Sequence, residues 1–516
     1  MSEEQQQAEH RNRPTNTEFR SFIAGNWAPR SDERPPRAEV AEYAAQRRAA
    51  VSDAFPGERL VVPAGGLKVR SNDTDYVFRP HSAFAHLTGL GGDREPDAVL
   101  VLEPRKEGGH AATLYFRPLA GRDTEEFFGD SRYGEFWVGA RPTIEDVEAE
   151  LGISARHIDE LPDALAKDAG HLVIRVLRDA DQDVTALVDR TRESATQDDS
   201  EGAQVAESSD ETAEQEDSDE QRDVALSVFL STLRLVKDAW EVAEMRRAVE
   251  ATAEGFEAVI AELAEAVRRG RGERWIEGVF GLHARHSGNG VGYDSICAAG
   301  DHANTLHWIK NTGDVEDGDL VLLDAGVEVD SLYTADVTRT LPANGTFSEA
   351  QRRVYDAVYA AQEAGIAAVK PGNRFSDVHA AAIRVIAEHL RAWGLLPEGV
   401  DVEQTLDKEH GQYHRRWMVH GTSHHLGIDV HDCAKARRED YMDAELEPGM
   451  VLTVEPGLYF KADDLLVPEE LRGIGVRIED DLLVTEDGHD NLSGFMPRTS
   501  DDVEAWIARV RDQRAG

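Results

Sequence analysis

The chain has 516 residues, with 99 Asp plus Glu against 56 Lys plus Arg and a formal net charge of −43. So acidic a protein is repelled by nucleic-acid backbones and by anionic membrane surfaces, which excludes both as general partners. Two cysteines, Cys297 and Cys433, cannot staple a chain of this length, so a buried apolar core must hold it.

In chain order, Met1–Asn16 is polar throughout and reads as a disordered tail with no signal peptide. No apolar run approaches the roughly 20 residues of a membrane helix, so a cytoplasmic protein is expected. Residues 17–193 read as an α/β domain. A helix is predicted over 38–55, with strands at Arg59–Val62, Ala98–Leu102, Thr113–Phe116 and Leu172–Val176. Between Asp198 and Glu220 lie eleven acidic residues, no basic or aromatic ones, and only Val205 as a sizeable apolar side chain. Such a stretch buries too little to offset its ordering entropy. Residues 194–222 therefore read as a disordered acidic insert, a solvated insertion in preference to a docking segment for a basic partner.

Residues 223–516 mix helices with strands in an antiparallel-looking order, an α+β pattern. Val242, Met245, Val249, Ala253, Phe256 and Ile260 recur three and four apart, which predicts a helix over 238–268. Ser348 with Gln351 forms a capping-box pattern for a helix running towards Pro371-Gly372. Ser376 is expected to cap a third helix reaching Leu395, and Thr499–Asp502 to open a last one. Strands are predicted at Leu320–Asp324, Thr334–Leu341, Met418–His420, Val451–Tyr459 and Gly475–Val484.

The chemistry gathers in this second half. Asp324 ends an apolar strand pattern and is followed by Ala325-Gly326, and Asp336 comes twelve residues later. Two carboxylates so spaced can meet across a hairpin, and a carboxylate in an apolar strand is costly unless paired or bound to a cation. Six histidines then fall between His410 and His431. His420 and His424 have the spacing of a helical zinc motif, but the glutamate after the first histidine is missing and Gly421 weakens a helix. Glu455 and Glu479 complete the set, each within an apolar strand pattern. Four carboxylates and an imidazole make an oxygen-rich site suited to Mn²⁺, Co²⁺ or Zn²⁺, and four negative charges suit two ions. Two such ions, roughly 3.5–4 Å apart, activate a water for hydrolysis. Gly288–Gly292 lacks the frame of a phosphate loop and reads as a plain loop. Cys297 reads as core, Cys433 as structural or near the site, and Trp308 as pocket wall or core.

Together, Asp324-Ala-Gly, Asp336-Val-Thr-Arg-Thr, His420-Gly-Thr-Ser-His424, Asp429-Val-His431-Asp432, Val454-Glu455-Pro-Gly-Leu-Tyr459 and Gly473-Ile-Gly-Val-Arg477-Ile-Glu479-Asp-Asp resemble the Xaa-Pro aminopeptidases (aminopeptidase P). These are metallopeptidases of the pita-bread fold, which prolidase, methionine aminopeptidase and the metal-free creatinase share. The likeness extends more weakly over 38–190 through Tyr76-Val-Phe-Arg79-Pro and Leu87-Thr-Gly-Leu. It implies a smaller N-terminal α/β domain before a pita-bread catalytic domain.

The resemblance implies Asp324, Asp336, His424, Glu455 and Glu479 as ligands of two divalent ions, most simply Mn²⁺, with Asp336 and Glu479 bridging. It implies that Glu455 carries a proton from the attacking water to the leaving proline nitrogen. His307, His420, His431 and Tyr459 would line the substrate site, and Arg477 would support the ligands. The implied activity is removal of an N-terminal residue before a penultimate proline. Xaa-Pro dipeptidase (prolidase) activity and a non-catalytic interaction module are the alternatives. The implied partners are proline-second peptides and a second copy of the chain, as dimer or tetramer. The Asp324–Asp336 interval is one residue longer than in the bacterial relatives. An extra residue in the turn near Asp330-Ser331 would leave both carboxylates in place, whereas one in a strand would turn Asp336 away.

Overall fold

The computed structural model describes residues 16–202 and 218–515. The chain divides into two compact units, Met1–Asp223 and Val224–Gly516.

In the first unit, helix α1 (Val40–Ala54) precedes a five-stranded sheet. Its strands are β1 (Arg59–Pro63), β2 (Val99–Pro104), β3 (His110–Phe116), β4 (Ser154–His157) and β5 (Ile174–Val176). The order is β4-β3-β2-β1-β5, antiparallel at β1/β2 and β2/β3, parallel at β3/β4 and β1/β5. β1 is buried along its whole length, as the apolar run Leu60–Pro63 requires. Arg59 is the exception to that pattern. Its guanidinium is satisfied by the Glu103 carboxylate and by the carbonyls of Leu165 and Lys167.

Helix α2 (Gln182–Gly202) and helix α3 (Asp219–Leu233) flank the acidic stretch. The two ends of the expected insert, 194–202 and 219–222, are thus helical, and 203–217 lie outside the described residues.

The second unit is built on long helices. These are α4 (Ala239–Arg268), α5 (Gly272–Ser287), α6 (Glu349–Ala368), α7 (Phe375–Ala392) and α8 (Ser500–Ala515). α4 begins where Asp238 accepts from the Trp240 and Glu241 amides while Glu241 accepts from the Asp238 amide, a reciprocal capping box. Ser348 and Gln351 start α6 in the same way. α7 starts two residues before the expected position, with Arg374 and not Ser376 at the cap. The Asp377 carboxylate takes the Arg374 amide, so Ser376 lies inside the helix, and Gly394 at φ +71° ends the path that was expected to reach Leu395.

The strands of this unit all pair antiparallel. β6 (Ile296–Ala299), β7 (Leu320–Ala325) and β8 (Val337–Pro342) form one sheet with β7 central. β9 (Val451–Val454), β12 (Asp480–Thr485) and β13 (Gly488–Asn491) form a second with β12 central. β10 (Gly457–Tyr459) pairs with β11 (Gly475–Arg477). Two long expected strands are therefore each broken in two, at Glu455-Pro456 and at Ile478-Glu479. Met418–His420 is not a strand. The Met418 amide is taken by the His414 carbonyl at 3.0 Å, which folds this stretch into a turn. The helices close over the sheets with a continuous core that includes Phe256, Phe280, Leu323, Tyr355, Ile383 and Val476. Among the described residues no helix is long and apolar enough to cross a membrane.

Candidate metal centre and substrate cavity

The hairpin expectation holds in detail. Asp324 pairs in register with Thr338, and the hairpin closes through a turn in which the Leu332 amide donates to the Val329 carbonyl and Leu332 sits at φ +76°. No register slip occurs, and Asp336, one residue before β8, faces Asp324. The Tyr293 hydroxyl contacts Asp324 Oδ1 at 2.7 Å and Asp336 Oδ1 at 2.5 Å. A phenol has one proton, so it satisfies only one of these two carboxylates at a time.

The two strand breaks supply the glutamates. At the first, Pro456 cannot donate to a ladder, and the Glu455 amide turns to the Thr422 carbonyl at 2.8 Å. At the second, the Glu479 amide donates to the Thr338 carbonyl at 3.1 Å, and Thr338 Oγ1 donates to Glu479 Oε2 at 2.6 Å. Ligand atoms of Asp336, His424 and Glu479 all lie within 4.8 Å of one another. His424 Nε2 is 3.2 Å from Asp336 and 3.8 Å from Glu455.

The electrostatics are lopsided. Burial, with Asp336, Glu455 and Asp324 close by, pushes the Glu479 carboxyl far above its usual range. Burial raises Glu455 to about 7 against the pull of His424 and Arg477. Asp324 is also raised by burial, partly offset by Arg477. Burial opposes charge on His424, yet the hydrogen bond and charge of Asp336 carry that ring up to about 9. Arg477 is the one guanidinium in the cluster. It donates to Asp324 Oδ2 at 2.5 Å, to the Tyr459 hydroxyl at 3.0 Å and to Thr338 Oγ1 at 3.3 Å. Four carboxylates, three buried and Glu455 half-buried, thus face one guanidinium, one imidazole and the hydroxyl protons of Tyr293 and Thr338. That donor set is short of positive charge and fits hard divalent cations.

Above the cluster lies a cavity of about 630 Å³, lined by all five candidate ligands and by His307, His420, His431 and Arg477. Tyr459 stands behind its wall and orients His420. Arg477 donates to the Tyr459 oxygen, Tyr459 bonds His420 Nε2 at 2.7 Å, and His420 Nδ1 bonds the Gly421 carbonyl at 2.6 Å. The ring is therefore a neutral tautomer with its proton on Nδ1, and burial with Arg477 nearby holds it down to about 3. The His431 ring packs edge-on against His424 with centroids 4.3 Å apart. Burial and His424 lower its proton affinity as well. Ile296, Leu306 and Ile309 give the cavity an apolar side. Trp308 is not part of the lining and packs against the buried cluster of Ile296, Ala298, Ala303 and Leu322. Both cysteines are buried, Cys433 at φ +61°. Sequence reasoning missed Tyr293. A lone tyrosine after Gly-Val-Gly carries no pattern, and only the fold brings it to both aspartates.

Residues 243–486 match metallopeptidase family M24, and residues 44–173 match the aminopeptidase P N-terminal domain. Xaa-Pro aminopeptidase 2 of Streptomyces coelicolor is 50% identical over 492 residues, covering 95% of this chain and 96% of that protein. The chain belongs to the Xaa-Pro aminopeptidase family. Xaa-Pro aminopeptidase 1 of the same organism is 53% identical over 477 residues, covering 92% and 89% of the two chains. The fold is shared as well. An Escherichia coli aminopeptidase P structure, a histidine-to-alanine variant, superposes with a TM-score of 0.78 at 29% identity, covering 93% of this chain and 100% of that one. The aminopeptidase PepP of Pseudomonas aeruginosa gives 0.77 at 31% identity, covering 93% and 99%. Both matched regions of the Xaa-Pro aminopeptidase family are thus present, in the same order.

Proposed function

We infer that this chain is a metal-dependent aminopeptidase that hydrolyses the bond between an N-terminal residue and a penultimate proline. The observation that carries the reading is the buried, positively deficient cluster at the floor of the cavity, in a chain half-identical to Xaa-Pro aminopeptidases over nearly its whole length. Asp324, Asp336, His424, Glu455 and Glu479 would hold two divalent cations. Mn²⁺ is the favoured identity, since oxygen ligands outnumber nitrogen four to one, with Co²⁺ and Zn²⁺ also compatible. A zinc-substituted Escherichia coli aminopeptidase P holds product, which supports tolerance at such a centre. When bound, the cations supply an acidified water and a Lewis acid for the scissile carbonyl.

The chain's own residues do the rest. The tertiary proline nitrogen must gain a proton before it can leave, and Glu455, which lines the cavity beside the other candidate ligands, is the carrier. His307 and His431 line the cavity as donors towards the carbonyl oxygen as charge builds on it. His420, fixed by Tyr459 and Gly421, stands beside Glu455 with Nδ1 at 3.6 Å and limits its rotation. Arg477 holds Asp324 in place and neutralises part of the cluster.

The test is product analysis on a proline-second tripeptide with added Mn²⁺. Release of the free N-terminal amino acid is expected. Cleavage of Xaa-Pro dipeptides much faster than of tripeptides would make the enzyme a prolidase, and no release together with no bound transition metal would make it a non-catalytic module.

A further inference from the structure

His307 does not belong to any strand or helix, yet it lines the cavity together with its neighbours Leu306 and Ile309. Something must hold this loop, since a residue aimed at a reacting oxygen has to be placed within a fraction of an ångström. The holding group lies on another element. Glu273, in the first turn of α5, is completely buried. Its carboxylate accepts four hydrogen bonds, all from the segment that carries His307. Oε1 receives the Ala299 amide at 2.9 Å and His302 Nδ1 at 2.7 Å, and Oε2 receives Trp308 Nε1 at 2.8 Å and the Gly313 amide at 2.5 Å. The Glu273 amide in turn donates to the Gly313 carbonyl at 3.2 Å.

These bonds grip the loop before, beside and after His307. The His302 and Trp308 rings stack at 3.9 Å, which ties the two side-chain donors together. Gly313 is required at the closing position, because a Cβ there would lie 2.8 Å from the Glu273 carboxylate and 2.7 Å from His302 Nδ1. Beyond it Asn311, buried at φ +45°, accepts from the Cys297 amide and donates to the Ser295 carbonyl, so the returning limb is pinned to β6 as well.

We propose that Glu273 is a positioning residue for the peptidase reaction, its carboxylate organising residues 299–313 so that His307 and the apolar wall beside it face the substrate. This rests on the proposed activity for its consequence and on geometry alone for its tether. Glutamine in place of Glu273 keeps the volume but replaces one acceptor oxygen with a donor, so two of the four donors lose their partner.

The experiment compares wild type with E273Q, H307A and the double variant, by steady-state kinetics on a proline-second peptide, bound-metal content and hydrogen–deuterium exchange of peptides spanning 299–313. The expected result is a loss in kcat/KM of about tenfold or more for E273Q, with metal content unchanged. Adding E273Q to H307A should cost less than about twofold further, because the residue it acts through is gone. Exchange should quicken in 299–313 and stay unchanged in 320–325. W308F, which removes one donor and keeps a ring, should show the same pattern more weakly, and it decides the matter if E273Q does not fold. The proposal is overturned if the full loss recurs in the H307A background, if metal is lost, or if 299–313 exchanges as in wild type. An inactive wild type would defeat the activity assignment, while the exchange comparison would still read the tether.

Discussion

Glu479 and Asp480 are adjacent, equally buried at 1% and 0% exposure, and belong to opposite kinds of charge cluster. Asp480 accepts from Arg339, Asn491 and Ser493 and pairs with Arg498 at 3.1 Å. Burial alone would raise its carboxyl, but Arg339 and Arg498 hold it below its usual range. Glu479 has one hydroxyl donor and three carboxylate neighbours, and its carboxyl is driven far upward. Depth is the same in both, so burial does not distinguish structure from function here. The balance of charge does. The Asp480 network closes on protein groups and locks Arg339 against the carbonyls of Thr338, Glu479, Met496 and Pro497. The Glu479 cluster stays open to cations.

The sharpest way to break this contrast is to remove one carboxylate from each side. Glu455→Gln should abolish turnover, by at least about 10³-fold, since it removes a ligand and the proton carrier together. Activity within tenfold of wild type would refute both roles. The same substitution should stabilise the metal-stripped chain above pH 7 by about 1–3 kcal/mol, because a like charge leaves an overcrowded site. Asp480→Asn should do the reverse, costing about 3 kcal/mol in urea unfolding, because the buried Arg339 and the half-buried Arg498 lose their shared anion. Equal destabilisation by both variants would mean that the two clusters do not differ in kind.

Much of this was legible in the sequence, for a reason that also explains what was not. Asp324, Asp336, Glu455 and Glu479 stand out because a charge inside an apolar strand pattern is anomalous wherever it occurs. The strand breaks were legible too, since Pro456 cannot sit within a central strand, but the apolar run around it outweighed that signal. Glu273 was not legible. An acidic residue in the first turn of a helix is ordinary, and only the return of 299–313 onto it turns it into a buried hub. Met418–His420 misled because an apolar pair before a histidine suits a strand edge, while the preceding turn had already claimed the Met418 amide. Local pattern finds residues that violate their own element. It cannot find residues whose partners arrive from elsewhere.

Proton linkage sharpens the contrast further. The folded-state carboxyls of Glu479, Glu455 and Asp324 are raised above their unfolded values, so the folded chain binds more protons than the unfolded one between about pH 4.5 and 7. Their contribution to stability is present at low pH and is lost as pH rises through 7. Divalent cations replace the missing protons, so the gap in unfolding midpoint between Mn²⁺-loaded and chelated protein should widen from pH 5 to pH 8. A gap independent of pH would mean that the cluster does not carry the linkage. Asp480, with a depressed carboxyl, works the other way: its stabilisation is present at neutral pH and is lost as pH falls below the usual carboxylate range.

The smallest effect is expected where charge is dense but the sequence offers nothing to pair with it. Glu207, Asp210, Glu211, Glu214, Glu216 and Asp217 lie in a stretch that offers them no arginine, no aromatic and almost no apolar neighbour in sequence. Carboxylates with no such neighbours contribute at most a few tenths of a kcal/mol each, of either sign. Replacing all six with their amides should therefore leave the peptidase rate unchanged within about twofold and move the midpoint by no more than about 1–2 °C. The substitution removes six negative charges, more than the four carboxylates proposed to bind cations. If it altered rate or metal affinity strongly, net charge would govern the site. If it does neither, four carboxylates matter because they are buried together without enough partners, and their sign alone explains nothing.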